Sequence, residues 1–396
     1  MKNKIIPINS KGKDLANTVN MIPNRLSEVK ASSKEQAMNP DLFNVNRVAA
    51  ALHPKEQKLV LRKIEEHSPD VKSYYLTWTG GQSLAYFRAG QYLSFPVKIG
   101  KSVVTRAYSI ASSPAKSLVG EYQIMIKRVP DGYASGYILD NWKVGDRITA
   151  YAPEGCFTYE PLRDAPNVVG IAGGSGITPF LSMARAIDDG SEDFNLTLLY
   201  GAKTKDELVF KDELDAIAER NEKFKVVYVL SEGKNRGFER GFIGADKIKK
   251  HAPKDEKYSI FACGPEGMYK FLGEEIPKLK IEQKYVRMEM FGVSKSAVVS
   301  SEMKKGKFKM IVTRRGESKE YKCDGKETIL TALERAGVAV PVRCRSGECG
   351  FCRSKLVSGT VYIPESVDRR RMADAQYGYI HPCCTYPTSD IEIKID

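Results

Sequence analysis

The stretch "CRSGECGFC", residues 344–352, holds three cysteines at the spacing C-x4-C-x2-C. The first 155 residues contain no cysteine, and the pair Cys383–Cys384 follows the stretch about thirty residues later. Gly347 and Gly350 permit the positive φ angles and the close backbone approach that a tight bend around a compact group needs. We call residues 344–352 the cysteine loop and expect its thiolates to converge on one bound group.

A [2Fe–2S] cluster is the group that this spacing favours, since plant-type clusters use C-x4-C-x2-C and a fourth cysteine further along the chain. A structural zinc site is the alternative, although such sites usually carry two C-x2-C pairs and only one is present. The spacing leaves both Cys383 and Cys384 open as the fourth ligand. We interpret the neighbouring His381 as a loop residue, because a Rieske centre needs two histidines.

The composition indicates a globular protein of two or three domains, at roughly 100–200 residues for each domain. Its 396 residues are 42% hydrophobic and 28% charged, which is ordinary for a chain with packed cores. No apolar run approaches the ~18–20 residues of a membrane helix, and the N-terminus "MKNKIIPINSKGKD" lacks the features of a secretory signal. We therefore expect a cytoplasmic protein, in which the reducing environment disfavours disulfides.

The formal net charge of +13 is compatible with a solvated basic surface or with an acidic redox partner. Lysine and arginine are scattered rather than interleaved with aromatic residues, so nucleic-acid binding is not expected. The four histidines are also scattered, which disfavours a hydrolytic triad.

Five segments that differ in composition and hydrophobic pattern follow one another along the chain. Residues 1–51 form a polar extension in which "NVNRVAAALHP" predicts one short helix. Residues 52–162 alternate in short segments between turn residues, which predicts an antiparallel β-barrel. In residues 163–290 the apolar run "NVVGIA" and the alternation of strand and helix patterns predict a doubly wound parallel sheet. Residues 291–304 indicate a linker, and residues 305–396 predict a third domain with a hairpin, a helix and further strands.

Two helix predictions are specific enough to be checked residue by residue. The pattern "DELVFKDELDAIAER", residues 206–220, predicts a helix in the second domain. In the third domain "TILTALERAG" predicts a helix with Thr328 as its N-cap and Gly337 as its C-cap.

Two further motifs indicate nucleotide binding. "GIAGGSGITP", residues 170–179, lies at a predicted strand-to-helix junction, where glycines and a helix N-terminus suit a pyrophosphate. No G-K-[ST] follows, so this is not a Walker loop. "RAYS", residues 106–109, offers a cation, an aromatic ring and a hydroxyl. These groups could bind a flavin, but on residue types alone an ordinary strand is favoured.

Together the three motifs resemble the ferredoxin–NADP reductase superfamily, in the arrangement with a plant-type ferredoxin domain at the C-terminus. "RAYSIASSP", "GIAGGSGITP", "FACGPEGMY", "RMEMFG" and the cysteine loop occur in the order of that family over residues 52–396. Reductase components of oxygenases and reductases serving hybrid-cluster proteins have this layout. The resemblance implies a multidomain fold with an FAD-binding antiparallel β-barrel, an NAD(P)-binding α/β doubly wound parallel sheet and a β-grasp ferredoxin domain.

The same resemblance implies an oxidoreductase that passes electrons from NADH or NADPH through FAD and a [2Fe–2S] cluster to a protein redox partner, such as an oxygenase or a hybrid-cluster protein. The alternative is a non-catalytic FAD/[2Fe–2S] electron-transfer subunit of a larger complex. In such subunits the fourth cysteine follows the third within about a dozen residues, whereas here about thirty residues separate them.

The resemblance also implies roles for individual residues. Arg106 is similar to a ligand of the flavin phosphate, Tyr108 to a ring lying against the isoalloxazine, and Ser109 to a residue near its reactive nitrogen. The catalytic residues implied are Ser109 and Cys263. The implied binding set is Arg106, Ala107, Tyr108, Ser109, Gly132 and Ser135 for FAD, Gly173, Gly174, Gly176, Thr178 and Ser231 for NAD(P), Cys263 and Gly264 for the nicotinamide, and Cys344, Cys349, Cys352 and Cys383 for the cluster.

One departure from the family pattern concerns the choice of nucleotide. The family often recognises the 2′-phosphate of NADPH with a serine followed by an arginine, but here Ser231 is followed by Glu232. A carboxylate would repel that phosphate, which favours NADH, although Lys203, Arg236 and Arg240 could compensate.

Overall fold

The computed structural model describes residues 21–28, 30, 43–78, 84–130, 132–233, 236–292 and 306–395. The chain divides into two units, Met1–Ala51 and Leu52–Asp396. Residues 21–28 are helical, and helix α1 (Asn44–Leu52) confirms the helix predicted from "NVNRVAAALHP". The predicted linker lies almost entirely outside the described residues. Within the described ranges, no helix has the length and apolar character needed to cross a bilayer.

Six antiparallel strands follow α1. Their bounds are β1 Glu56–Ser68, β2 Val71–Trp78, β3 Tyr92–Ile99, β4 Ser102–Ser109, β5 Glu121–Lys127 and β6 Arg147–Tyr151, and the short helices α2 (Pro114–Leu118) and α3 (Tyr133–Asn141) lie in their connections. Four strands form a sheet in the order β5-β2-β1-β6, and β3 pairs with β4. Reciprocal backbone hydrogen bonds of 2.9 and 3.0 Å between Tyr92 and Glu154 join β3 to the end of β6. A bridge between Ile110 and Ile124 joins the end of β4 to β5, so the predicted barrel is confirmed.

The β3–β4 hairpin shows how the sequence specifies this barrel locally. Ile99 pairs with Ser102 and leaves a two-residue turn at Gly100–Lys101. Gly100 has a φ of +60°, which suits the first central position of a type II′ turn. Alternate strand residues then face a common core, including Leu59, Leu61, Tyr74, Leu76, Phe95 and Ile124.

The next domain alternates strands and helices. Its elements are β7 Asn167–Gly173, α4 Ile177–Asp188, β8 Asn195–Ala202, α5 Lys211–Arg220, β9 Phe224–Leu230, β10 Glu239–Arg240, α6 Ala245–His251, β11 Tyr258–Cys263, α7 Glu266–Glu275 and β12 Val286–Glu289. The sheet order is β10-β9-β8-β7-β11-β12, and all neighbours are parallel, which confirms the predicted doubly wound sheet. The strand order reverses at β7, so a crevice for ligands is expected beyond the carboxyl ends of β7 and β11.

The helix predicted over residues 206–220 is wrong in its first part. Residues Lys205–Glu207 form a single 3-10 turn, and α5 begins only at Lys211. Phe210 separates the two with a φ of +64°, which is left-handed backbone that a right-handed helix cannot contain. Its ring packs on the edge of His67 at 4.8 Å, so tertiary contact overrides the helical pattern.

The third domain is a mixed sheet covered by one helix. Its elements are β13 Lys307–Arg314, β14 Glu317–Asp324, α8 Ile329–Arg335, β15 Ser354–Ser358, β16 Val361–Tyr362, α9 Met372–Gln376, β17 Tyr379–Ile380, β18 Tyr386–Pro387 and β19 Ile391–Ile395. The sheet order is β14-β13-β19-β15-β17, with β13 and β19 parallel. Thr328 caps α8 as predicted, because its hydroxyl accepts from the Thr331 N–H at 3.2 Å, whereas the C-cap is Ala336 and Gly337 follows it. The helix buries Ile329 and Leu333 against the sheet, as in the predicted β-grasp.

Candidate functional site

The cysteine loop lies between α8 and β15 and places its thiols in pairs. The Cys344 and Cys349 thiols are in contact, and this contact lowers the pKa of Cys344 to about 5. The Cys352 thiol contacts Cys383, and this contact, followed by burial, raises the pKa of Cys352. The four predicted ligands therefore form two adjacent pairs, as two irons with two thiolates each require.

The structure also separates the two candidates for the fourth ligand. The Cys383 thiol contacts both the Cys352 thiol and the Cys384 thiol, whereas the Cys384 thiol is fully buried and donates to the His381 carbonyl oxygen at 3.4 Å. His381 is itself 2% exposed, and its Nδ1 bonds the Gly347 carbonyl oxygen at 2.7 Å. This arrangement supports Cys383 as the ligand and gives Cys384 and His381 a role in holding the loop.

The loop's shape fits a compact cluster. Gly347 and Gly350 have φ angles of +82° and +72°, as predicted for a tight bend. The Ser346 Oγ and the His381 Nε2 are buried, and among the described residues neither has a hydrogen-bond partner. Backbone N–H groups of Ser346 and Cys349 donate to the Cys344 Sγ at 3.4 Å each. Within the described part of the chain, no three His, Cys, Asp or Glu side chains converge to hold a single metal ion.

One half of the thiol set lies against the β-barrel. Cys344 packs with Tyr92 of β3 and Ala107 of β4, and Cys349 lies beside them. The other pair, Cys352 and Cys383, packs inside the ferredoxin domain instead. The Cys344–Cys349 half is therefore the one that contacts the barrel.

The predicted flavin residues Arg106, Tyr108 and Ser109 all lie on β4. Arg106 is half-buried, and with the described residues it forms no ion pair. Burial, reinforced by the nearby Arg345 guanidinium, lowers the pKa of Arg106 to about 10. A desolvated guanidinium of this kind calls for an anion, so Arg106 fits a flavin phosphate.

The segment "DGYASGY" forms the beginning of helix α3. Gly132 is the N-cap residue, and Ser135 is buried in the first turn. The Ser135 hydroxyl accepts from the Val129 N–H at 3.1 Å, and its own proton remains free to donate to a ligand. Asp131 lies outside the described residues.

The predicted pyrophosphate turn, residues 173–176, joins β7 to α4; we call it the nucleotide turn. A Cβ on Gly173 would lie 2.8 Å from the Pro265 Cδ, and one on Gly176 would lie 2.0 Å from the Cys263 carbonyl oxygen. Gly174 is half-buried with a φ of +52°. The Thr178 hydroxyl donates to the Ser175 carbonyl oxygen at 2.9 Å and closes the turn.

Cys263 and Gly264 end strand β11 beside this turn. Burial, followed by the Glu289 carboxyl, raises the pKa of the Cys263 thiol. The Gly264 N–H donates to the Tyr269 hydroxyl at 2.9 Å, and that hydroxyl donates to the Glu289 carbonyl oxygen. β11 and β12 are thereby tied together at their carboxyl ends.

Glu289 is a site residue that the sequence reasoning missed. Its Oε2 lies 3.4 Å from the Ser109 hydroxyl of the barrel. Burial, followed by the nearby Glu348 carboxylate, raises its pKa well above the usual range for glutamate. Glu289 belongs to "RMEMFG", so its position in that motif was a signal that the sequence analysis did not use.

Ser231 lies at the carboxyl edge of the sheet, beyond β9. Its N–H donates to the Ala202 carbonyl oxygen at 3.0 Å, and the Glu232 N–H donates to the Lys203 carbonyl oxygen at 2.9 Å. These bonds extend the β8–β9 pairing, so Glu232 lies beside Lys203. Arg240 pairs in register with Leu230 and is exposed nearby.

Three domain families match this chain in the order of its domains. They are an oxidoreductase FAD-binding domain over residues 58–159, an oxidoreductase NAD-binding domain over residues 171–274 and a 2Fe-2S iron-sulfur cluster binding domain over residues 312–388. The chain belongs to the ferredoxin–NADP reductase superfamily. Each matched range lies inside the corresponding predicted domain; the domain boundaries themselves stay predictions.

Similar proteins include several reductases of this superfamily. The glycine betaine monooxygenase reductase subunit of Chromohalobacter salexigens is 27% identical over 78% of this chain and 88% of its own length. An NADH oxidoreductase of Escherichia coli is 26% identical over 84% of this chain and 96% of its own. The solved structure of phthalate dioxygenase reductase is 26% identical, covers 86% of this chain and 98% of its own, and has a TM-score of 0.63.

This member of the superfamily is an oxidoreductase that takes electrons from NADH or NADPH and passes them through FAD and a [2Fe–2S] cluster to an electron-accepting protein. The zinc interpretation of the cysteine loop is wrong, since the matching domain family is a [2Fe–2S] one. The roles assigned to single residues stay predictions.

Proposed function

We propose that this chain is the NADH-dependent reductase component of an oxygenase system. One observation carries the proposal: Ser109 of the barrel meets Glu289 of the nucleotide domain, while Ala107, two residues away, packs against Cys344 of the cysteine loop. The sites for nicotinamide, flavin and cluster therefore share one junction. Two of the similar proteins are named as oxygenase reductases, which supports an oxygenase as the acceptor.

When bound, FAD accepts the two electrons of one NADH and passes them singly to the cluster, so the balance is NADH plus two oxidised acceptors giving NAD⁺, H⁺ and two reduced acceptors. In this scheme Arg106 binds the flavin phosphate, and Ser135 donates to the pyrophosphate. Ser109 would lie beside the flavin ring, and Cys263 beside the nicotinamide. Glu289 lies with its carboxyl beside the Ser109 hydroxyl, and burial raises the pKa of that carboxyl, which favours its protonated form.

The preference for NADH rests on Glu232. Its backbone is anchored beside Lys203, directly after Ser231, and a carboxylate at this position would repel the 2′-phosphate of NADPH. We expect kcat/KM to be higher for NADH than for NADPH, and Glu232→Ala to shift this ratio towards NADPH. An unchanged ratio in the variant would remove Glu232 from the selection of the nucleotide.

An acidic protein fits the surface next to the cluster. The ferredoxin domain, residues 305–396, carries 17 Lys and Arg against 12 Asp and Glu. Arg369 and Arg371 are exposed, and with the described residues they form no ion pair. Met372, which follows Arg371 directly, is 89% exposed. This segment is next to the cluster because a Cβ on Gly347 would lie 2.5 Å from the Val367 carbonyl oxygen.

We also propose a cytoplasmic location, because none of the eight cysteines forms a disulfide and the reducing cytoplasm disfavours disulfides.

The test of the proposed function starts with the purified chain alone. NADH should bleach its visible spectrum under anaerobic conditions, and a partner captured from native extract should reoxidise it. Cys344→Ser should leave reduction of FAD by NADH intact and abolish reduction of a one-electron protein acceptor. Bleaching that requires a second subunit would instead favour the electron-transfer subunit of a larger complex, and equal loss of both activities would contradict the division of labour.

A further inference from the structure

Arg343, the residue before the cluster cysteine Cys344, reaches out of the ferredoxin domain into the β-barrel. Its guanidinium carbon lies 3.4 Å from the centroid of the Tyr151 ring, and its Nε donates to the Glu154 Oε1 at 3.1 Å. On the other side it lies 4.6 Å from the Phe351 ring of the cysteine loop. The side chain is only 13% exposed.

Glu154, the barrel residue that accepts from Arg343, is connected through Tyr92 to the place where Cys344 contacts the barrel. Glu154 exchanges two backbone hydrogen bonds with Tyr92, and Tyr92 packs against Cys344. One side chain thus joins the residue before a cluster ligand to the strand pair that supports the same ligand. Arg343, Tyr151 and Glu154 together are called the latch below.

We propose that Arg343 is a positioning residue that holds the cysteine loop against the barrel and thereby sets the rate at which an electron passes from the flavin to the cluster. The step moves one electron from reduced FAD to the oxidised cluster, and no atom is transferred. The inference rests on the proposed function, because that function supplies the two redox groups.

The chemistry of the latch explains why arginine is used. A planar guanidinium stacks on Tyr151 and Phe351 while it donates to a carboxylate, and lysine cannot do both. Glu154 is half-buried, and its Oε2 is buried with no partner among the described residues. Removing Arg343 would leave this carboxylate desolvated and uncompensated, so the docked arrangement would weaken.

A matched control exists on the other side of the cluster. Arg353 follows the ligand Cys352, pairs with Asp374 at 3.0 Å and lies 4.7 Å from the Tyr379 ring. It makes the same kinds of contact as Arg343, but all of them are inside the ferredoxin domain. Arg343→Ala and Arg353→Ala therefore separate docking from local support of a cluster cysteine.

Single-turnover mixing of each holoenzyme with NADH provides the test, with FAD bleaching and cluster reduction followed separately. We expect Arg343→Ala to reduce FAD at the wild-type rate but to reduce the cluster roughly 10- to 100-fold more slowly, with the midpoint potentials of both groups unchanged. Arg353→Ala should match the wild type in both phases, and Arg343→Lys should recover only part of the loss. Cluster reduction at the wild-type rate in Arg343→Ala would overturn the proposal.

Two further measurements cover the case in which Arg343→Ala fails to retain its cluster. Glu154→Gln removes the latch from the barrel side, without changing a sequence neighbour of a cluster cysteine, and should slow cluster reduction in the same direction. Hydrogen exchange of the oxidised holoprotein, which needs no NADH, should rise at residues 345–351 and 151–157 in the latch variants but not in Arg353→Ala. Wild-type rates and wild-type exchange in both Glu154→Gln and Arg343→Lys would reject the latch. A wild-type chain that NADH does not reduce would refute the proposed function, whereas the exchange result would still decide the latch.

Discussion

Gly350 in the cysteine loop and Gly176 in the nucleotide turn both lie in glycine-containing bends, but the two positions need glycine for different reasons. Gly350 of the cysteine loop has a φ of +72°, and a Cβ there would meet nothing closer than the His381 Nε2 at 3.7 Å. Gly176 of the nucleotide turn has an ordinary φ of −66°, yet a Cβ there would lie 2.0 Å from the Cys263 carbonyl oxygen. Glycine provides a left-handed backbone at position 350 and the close approach of a neighbouring strand at position 176.

This difference shows what a glycine motif can and cannot tell. A glycine in a sequence pattern indicates that space or backbone freedom is needed, but not which group takes the space. In the nucleotide turn, residues of β11, of α7 and of the connection between them occupy the space beside Gly173 and Gly176. Only the space beside Gly174 is open to a ligand, since a Cβ there would meet only the Lys127 Nζ at 3.9 Å.

The largest expected effect concerns the thiols of the cysteine loop. Cys383→Ser should remove the cluster, because Cys383 completes a pair with Cys352, whereas Cys384→Ser should retain it, because the Cys384 thiol points to the His381 carbonyl oxygen. Iron content and the paramagnetic signal of the reduced protein measure the outcome. Full iron in Cys383→Ser, or its loss in Cys384→Ser, would reverse the assignment.

The next effect tests the packing role of the nucleotide turn. Gly176→Ala should destabilise the protein by about 1–3 kcal/mol, as overpacking does, because the added methyl must displace the Cys263 carbonyl. The control is Gly273→Ala in helix α7, where an added Cβ would meet no atom within 4 Å. This variant should stabilise the protein by ~0.5–1 kcal/mol, because alanine suits a helix interior better than glycine. Denaturant unfolding of the two holoproteins compares them. Equal stability of both variants would mean that the turn relaxes without cost.

A smaller effect tests the backbone role of glycine in the cysteine loop. Gly350→Ala should cost about 1–2 kcal/mol, because an L residue is held in left-handed backbone, and Gly350→Asn should cost less, since asparagine tolerates this conformation better. Both variants should keep their iron. Thermal unfolding ranks the three proteins. If asparagine cost more than alanine, steric contact rather than backbone conformation would be the cause.

The smallest effect concerns Glu289, which lies where the two bends meet the barrel. Its pKa is raised in the folded protein, so the folded state binds this proton more tightly than the unfolded state, and stability falls as pH rises above the unfolded value of 4.5. Glu289→Gln should remove this loss, which is at most about 1.4 kcal/mol between pH 6 and pH 7. Unfolding free energies at the two pH values measure it. Parallel pH dependence in both proteins would show that Glu289 has an ordinary pKa.

Local patterns were sufficient for much of the fold. Helix α4 covers the predicted "ITPFLSMARAID" residue for residue, and the predicted hairpin at the start of the ferredoxin domain pairs Lys307 with Asp324 as β13 and β14. Phe210 shows the limit, because a single left-handed residue shortened a helix whose pattern was continuous. A local pattern does not report the tertiary contact that the Phe210 ring makes with His67.

The residues of the candidate site also fall into two groups: those predicted from the sequence and those that only the structure revealed. Cys344, Cys349, Cys352 and the nucleotide turn were predicted from residue types and their spacing, whereas Cys383 and the flavin role of the Arg106–Ser109 strand were implied by the family resemblance. Glu289 and Arg343 were not predicted, because each acts through a partner from another domain: the Ser109 hydroxyl for Glu289, and Tyr151 with Glu154 for Arg343.

The sequence by itself determined the three domains, the cofactor class and the residues able to hold each cofactor, because spacing and local backbone needs are written along one stretch of chain. The family resemblance implied Cys383 as the fourth ligand, but only the tertiary structure placed its thiol beside Cys352 and the Cys344 half of the thiol set against the barrel. These outcomes depend on distances between residues far apart in the chain, and such distances are set by how the domains pack rather than by any local pattern.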